Sequence, residues 1–185
     1  MFLFDLLFGK ADKPAAPASG TLAAPPAPHA VAPAAGGGSA APGTGILFHP
    51  ELIARFRQEH QHLLKLFRAT KAAADIGAVA EAAGHLDEFR AALQDHLLTE
   101  NVRLYVYLEH ALASDATRHA LIHGFRHEMD EIGKVVVGFL GKYHDLAQRP
   151  DLAPGFAAEL DIVGKVLAKR IQREEETLYP LYAPV

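Results

Sequence analysis

From residue 46 to the C-terminus, large apolar side chains recur at alternating steps of three and four along four long segments. That spacing lays them on one face of an α-helix and is incompatible with the two-residue alternation of a half-buried strand. The segments run from Pro50 to about Lys71, from the Asp75-Ile76-Gly77 turn to about Ala113, from Ser114 or Asp115 to about Leu146, and over 156–179. Pro50 suits a first helical position, Ser114 or Asp115 can cap a helix, and QRPDLAPG at 148–155 breaks the chain. Four long helices with short loops pack most simply as an antiparallel up-down-up-down four-helix bundle. The expected fold is therefore all-α, with a bundle over 46–185 preceded by a disordered N-terminal tail.

The tail has two parts. Residues 1–10, MFLFDLLFGK, hold six large apolar side chains, but Asp5 interrupts them and no basic residue precedes them, unlike a secretory signal. This peptide reads as a docking or membrane-surface segment for an unidentified protein or lipid partner, or as extra core folded back on the bundle. Residues 11–45 form the expected linker. Between 14 and 45 there is no Asp, Glu, Lys or Arg, and seven of the chain's twelve prolines fall there. Such a segment buries too little apolar surface to offset its ordering entropy, and as a coil it would reach ~30 Å.

The apolar stripes carry the chemistry. They read Phe56, His60, Leu63, Phe67 on the first helix, and Leu86, Phe89, Leu93, His96, Glu100, Leu104, Tyr107 on the second. The third gives Ile122, Phe125, Met129, Ile132, Val136, Phe139, Tyr143, and the fourth Phe156, Leu160, Val163, Leu167, Arg170, Glu174, Thr177, Leu181. Five polar residues interrupt them: His60, His96, Glu100, Arg170 and Glu174. An unpaired buried charge costs several kcal/mol, so these groups must compensate one another or a bound ion. His119, His123 and His127 also repeat at ligand spacing, but their stripe points away from Phe125 and Met129 and so toward solvent.

Two phrases echo each other: His96-Leu-x-x-Glu100-x-x-x-Leu104-Tyr105 and Arg170-Ile-x-x-Glu174-x-x-x-Leu178-Tyr179. Together with EHQHLLKLF on the first helix, they resemble the hemerythrin-like (HHE cation-binding) family over about residues 50–182. The resemblance implies two helix pairs, each supplying a lone His and a His-x-x-x-Glu, around two non-haem irons bridged by both carboxylates. It implies binding of dioxygen or nitric oxide, sensing, or iron delivery. Carried over residue by residue, it makes His60, His96, Glu100 and Glu174 metal ligands. It also puts Met129 where the second lone His belongs and Arg170 where the second His-x-x-x-Glu begins. The guanidinium is permanently charged and forked, so Arg170 could pair with Glu174 and Glu100 in the place of a second metal.

Two readings follow. In one, His60, His96 and Glu100, with or without Glu174, hold one divalent ion, and the ligand types suit ferrous iron, zinc or manganese. The protein is then a non-enzymatic sensor or carrier of a small diatomic ligand or of iron. In the other, the site holds no metal and the bundle is a regulatory adaptor acting by protein contact. Over LDEFRAALQDHLLTENVRLYVYLEHAL alone, the chain also looks like one helix of regulator-of-sigma-D anti-sigma proteins, which implies a sigma-factor partner. A net charge of −4 argues against nucleic-acid binding, and no apolar run is long enough to span a bilayer. The absence of cysteine excludes disulfides, iron–sulfur clusters and thiol catalysis, and fits a cytoplasmic location. No phosphate loop or activated nucleophile is visible, so the chain reads as a non-enzyme.

Overall fold

The computed structural model describes residues 40–185. The peptide 1–10 and nearly all of the expected linker lie outside the described residues. Helix α1 is Leu52–Asp75. Helix α2, Val79–Thr99, passes without a break through a π-helical segment, Glu100–Tyr105, into α3, Val106–Ala111. Helix α4 is Ala116–Lys142 and α5 is Ala153–Arg173. The latter continues into a second π-helical turn, Glu174–Leu178, and a 3₁₀ turn, Tyr179–Leu181. These rods form the all-α four-helix bundle that the apolar spacing predicts. Among the described residues the only β feature is one antiparallel bridge, Ala40 to Leu47.

Local chemistry sets the ends. The Ala-rich stretch after Lys71 keeps α1 helical to Asp75, until Gly77 turns the chain at φ +73°. Asp115 caps α4, its carboxylate accepting the Arg118 N–H at 3.0 Å. Helix α5 begins at Ala153 rather than 156, because Pro154 in a first turn lacks only an N–H that would have no helical partner. Of the expected linker, residues 40–45 are described and lie against the bundle. Ala41 is buried, and its N–H bonds the Ile46 carbonyl at 2.9 Å across a turn opened by Gly43 at φ +72°.

The fourth stripe departs from its expected register. Thr177 is exposed and Leu181 only half-buried, while Leu178, Tyr179 and Tyr182 are buried. The π turn at Glu174 inserts one residue into the helix and rotates everything beyond it. The same insertion at Glu100 buries Tyr105 and Leu108 beside the expected Leu104 and Tyr107.

The core is divided. One apolar cluster holds Leu63, Leu66, Phe89, Leu93, Val136, Phe139, Phe156 and Leu167 with their neighbours. The other holds Phe56, Leu104, Tyr107, Ile122, Phe125, Leu178 and Tyr182 with theirs. Along every rod the change from one cluster to the other falls at His60, at His96 and Glu100, at Met129, or at Arg170 and Glu174. A layer of buried polar side chains thus crosses the bundle between two apolar ends.

Phe67 forms part of the cavity wall beside this layer and lies over Gly164 of α5. A Cβ on Gly164 would stand 2.2 Å from Phe67 Cζ. Gly164→Ala should therefore displace the ring and destabilise the bundle by about 1–3 kcal/mol. Urea unfolding of Gly164→Ala, alone and combined with Phe67→Leu, checks this, since the shorter side chain should recover most of the loss.

Candidate metal centre

His60 is fully buried on α1, His96 is 3% exposed near the end of α2, and Glu174 is 2% exposed at the start of the second π turn. One donor atom from each lies within 4.8 Å of the other two. No other group of three or more metal-ligating side chains comes together among the described residues. His119 and His123 stack edge to face with ring centroids 4.7 Å apart, but His123 and His127 face solvent, as their stripe predicts.

Carboxylates at the rim hold the two imidazoles. His60 Nδ1 lies 2.8 Å from Glu175 Oε1, and His96 Nδ1 lies 2.8 Å from Glu59 Oε2. An ionised carboxylate only accepts, so each Nδ1 carries a proton and donates it. In the neutral ring Nε2 is then a lone-pair donor, the arrangement found where a carboxylate orients a metal-ligating histidine. His60 Nε2 lies 3.3 Å from Glu174 Oε2.

Arg170 fills the other half of the layer. Its Nε donates to Glu174 Oε1 at 2.6 Å, and Nη2 donates to the Tyr105 hydroxyl at 2.5 Å. Nη1 donates to the Phe125 carbonyl at 3.0 Å and to Glu128 Oε2 at 3.3 Å. The expected pairing with Glu174 is present. The expected bond to Glu100 is not, because the fork is taken up by Tyr105, Phe125 and Glu128. Glu174 therefore serves both halves, one oxygen on the guanidinium and the other toward His60. Met129, where a second lone His was expected, is buried in the layer and supplies only cavity wall.

Glu100 is buried within the layer but stands outside the three-residue donor group. It accepts a hydrogen bond from the Tyr179 hydroxyl at 3.4 Å. Burial, and then the charge of Glu174, push its carboxyl well above the usual range, with Arg170 pulling the other way. Burial would raise Glu174 too, but His60 and the Arg170 charge hold it below the usual range. For His60, burial lowers the pKa, but the carboxylates of Glu174 and Glu175 outweigh it and the net shift is upward.

A cavity of about 40 Å³ adjoins the layer. One water needs ~10–15 Å³ on this measure, so a diatomic molecule fits. Leu63, Phe67, Leu93, Met129 and Leu167 make its apolar wall, and His60, His96, Arg170 and Glu174 its polar end.

The model of the hemerythrin HHE cation binding domain matches residues 51–182. The chain belongs to that family. No curated protein and no solved structure gives a significant match. In this hemerythrin-like bundle, two imidazoles with anchored Nδ1 atoms and one ionised carboxylate make a donor set that fits a divalent transition metal. His60, His96, Glu174 and Arg170 were visible as polar breaks in apolar stripes. Glu59, Glu175 and Glu128 were not, since each lies off its stripe, and only the packing of one helix on another brings it in. Tyr105 and Tyr179 close the two echoed phrases, which is the signal that could have marked them. Among the described residues no helix is long and apolar enough to cross a membrane.

Proposed function

We propose that this protein is a hemerythrin-like module that holds one divalent metal ion, iron first, on His60, His96 and Glu174. It acts as a non-enzymatic sensor or carrier of a small diatomic ligand or of iron. The observation that carries this reading is the pair of Nδ1–carboxylate anchors, Glu175 on His60 and Glu59 on His96. Anchors of this kind fix a metal-ligating imidazole through Nδ1, and in His60 they turn Nε2 to the Glu174 carboxylate. When bound, ferrous iron would supply a redox-active Lewis acid with open coordination positions. The chain's own residues do the rest. Arg170 supplies the charge of a second cation, Glu174 links the two halves, and the cavity's apolar wall suits a small uncharged ligand.

A second reading has its own support. Arg170, with a protonated His60, can balance the buried carboxylates without any ion, as a metal-free regulatory adaptor would require. Residues 1–10 would then be the segment that docks a protein partner.

Metal content separates the two. Untagged protein purified without chelator and loaded anaerobically with ferrous iron should bind one equivalent. His60→Ala, His96→Ala and Glu174→Ala should each weaken binding by roughly 100-fold or more, beyond the 10–100-fold typical of groups that merely orient ligands. Two equivalents would show that Arg170 does not replace the second ion, and none in a folded protein would favour the adaptor.

A further inference from the structure

We propose that Tyr179 is itself a ligand of this metal, its phenolate oxygen joining His60, His96 and Glu174. This rests on the mononuclear reading above and deepens it. Donor atoms sharing one metal at bond lengths of ~2.0–2.2 Å are themselves roughly 3.0–3.5 Å apart, for tetrahedral to octahedral angles. The Tyr179 hydroxyl lies 3.2 Å from His60 Nε2, and Glu174 Oε2 lies 3.3 Å from the same nitrogen. Both spacings match edges of a coordination polyhedron that has His60 Nε2 at one vertex. The phenol ring is fixed for the role, stacked on His60 at 5.6 Å and 14° and on Phe56 at 5.8 Å and 29°. Tyr179 is 2% exposed and so is shielded from bulk solvent.

The other half of the layer supplies an independent argument. Tyr105 and Tyr179 occupy the same place in the two echoed phrases, each five residues after the Glu that opens a π turn. The Tyr105 hydroxyl bonds directly to the cation of its half, the Arg170 guanidinium, which also holds Glu174. Tyr179 presents its oxygen in the corresponding place, to the donor group of His60, His96 and Glu174 and not to a guanidinium. Each half is built so that a tyrosine oxygen meets the positive charge. In Tyr179 the O–H bond breaks as the oxygen–metal bond forms. The proton is released to buffer, and no electron is transferred.

The test is resonance Raman spectroscopy of the full chain, loaded with ferrous iron and then oxidised in air, with metal content measured on the same sample. One bound iron with tyrosinate vibrational modes is expected. Tyr179→Phe keeps the stacked ring and should lose those modes, with zinc affinity down roughly tenfold or more. Tyr105→Phe should retain the modes. Bound iron without tyrosinate modes, or modes that survive Tyr179→Phe, overturns the assignment and leaves the mononuclear reading standing. A tyrosine that only positions Glu100 would weaken binding yet give no such modes. A folded protein that takes up no iron overturns both.

Discussion

Arg170→Leu should destabilise the metal-free bundle by about 3–5 kcal/mol, the cost of leaving one partner of a buried ion pair uncompensated. Glu174 would lose the guanidinium from Oε1, and the Phe125 carbonyl and Tyr105 hydroxyl would lose buried donors. Glu128 would be affected least, because it is half-buried and keeps Arg173. Urea unfolding at neutral pH, compared with wild type, measures the loss. Arg170→Lys keeps the charge but not the planar fork, so it cannot reach Glu174, Phe125 and Tyr105 together and should fall between the two. A loss below about 1 kcal/mol for leucine would mean that the network is net neutral. Arg170→His, loaded with ferrous iron, should raise the stoichiometry toward two. An unchanged value in a folded variant would argue that the guanidinium is not standing in for an ion.

Metal affinity should climb steeply with pH, by roughly tenfold per unit for each proton that must leave before the metal binds. The direction follows from His60. Its folded pKa is raised above 6.5, so below that pH the metal-free protein carries an Nε2 proton where a metal would sit. The stability that proton contributes is fully present below 6.5 and is lost as pH rises through the folded value. Metal binding should become easier over that same window. Glu174 runs the other way: its depressed pKa gives stability present above 4.5 and lost as acid reaches the folded value. Zinc titrations from mildly acidic to mildly alkaline pH, in buffers of different ionisation enthalpy, count the released protons directly. A slope near one proton matches His60 alone, and a second belongs to Tyr179 if its phenol ionises. A pH-independent affinity would remove His60 Nε2 from the site.

The fold was legible because bundles are written in apolar periodicity, and Phe56, Leu93, Phe139 and Leu160 all lie where that periodicity sends them. It misled where a π turn costs one residue of register, past Glu100 and more so past Glu174, and no residue type announces it. Thr177 was read as core and is surface, while Tyr179, two positions from either projected neighbour, Thr177 or Leu181, is buried at the site. The histidines, Arg170 and the two buried glutamates stood out as charges inside greasy stripes. Of the partners of Arg170, Glu174 was expected, but Tyr105, Phe125 and Glu128 were not. Whether its fork meets Glu100 or Glu128 depends on how far α5 slides along α4, a tertiary quantity that local spacing does not encode.

The polar layer gives the bundle a seam. Each apolar end is cohesive in itself, and the two communicate through a handful of charged and aromatic groups whose net attraction depends on what balances Glu174 and Glu100. With a cation shared by α1, α2 and the end of α5, three of the four rods are riveted at mid-length and the ends must open together. With only protons and Arg170 there, the rivet is weaker and one end is free to fray before the other. In such a molecule, occupancy of the centre would set whether the two ends of the bundle open together or one at a time.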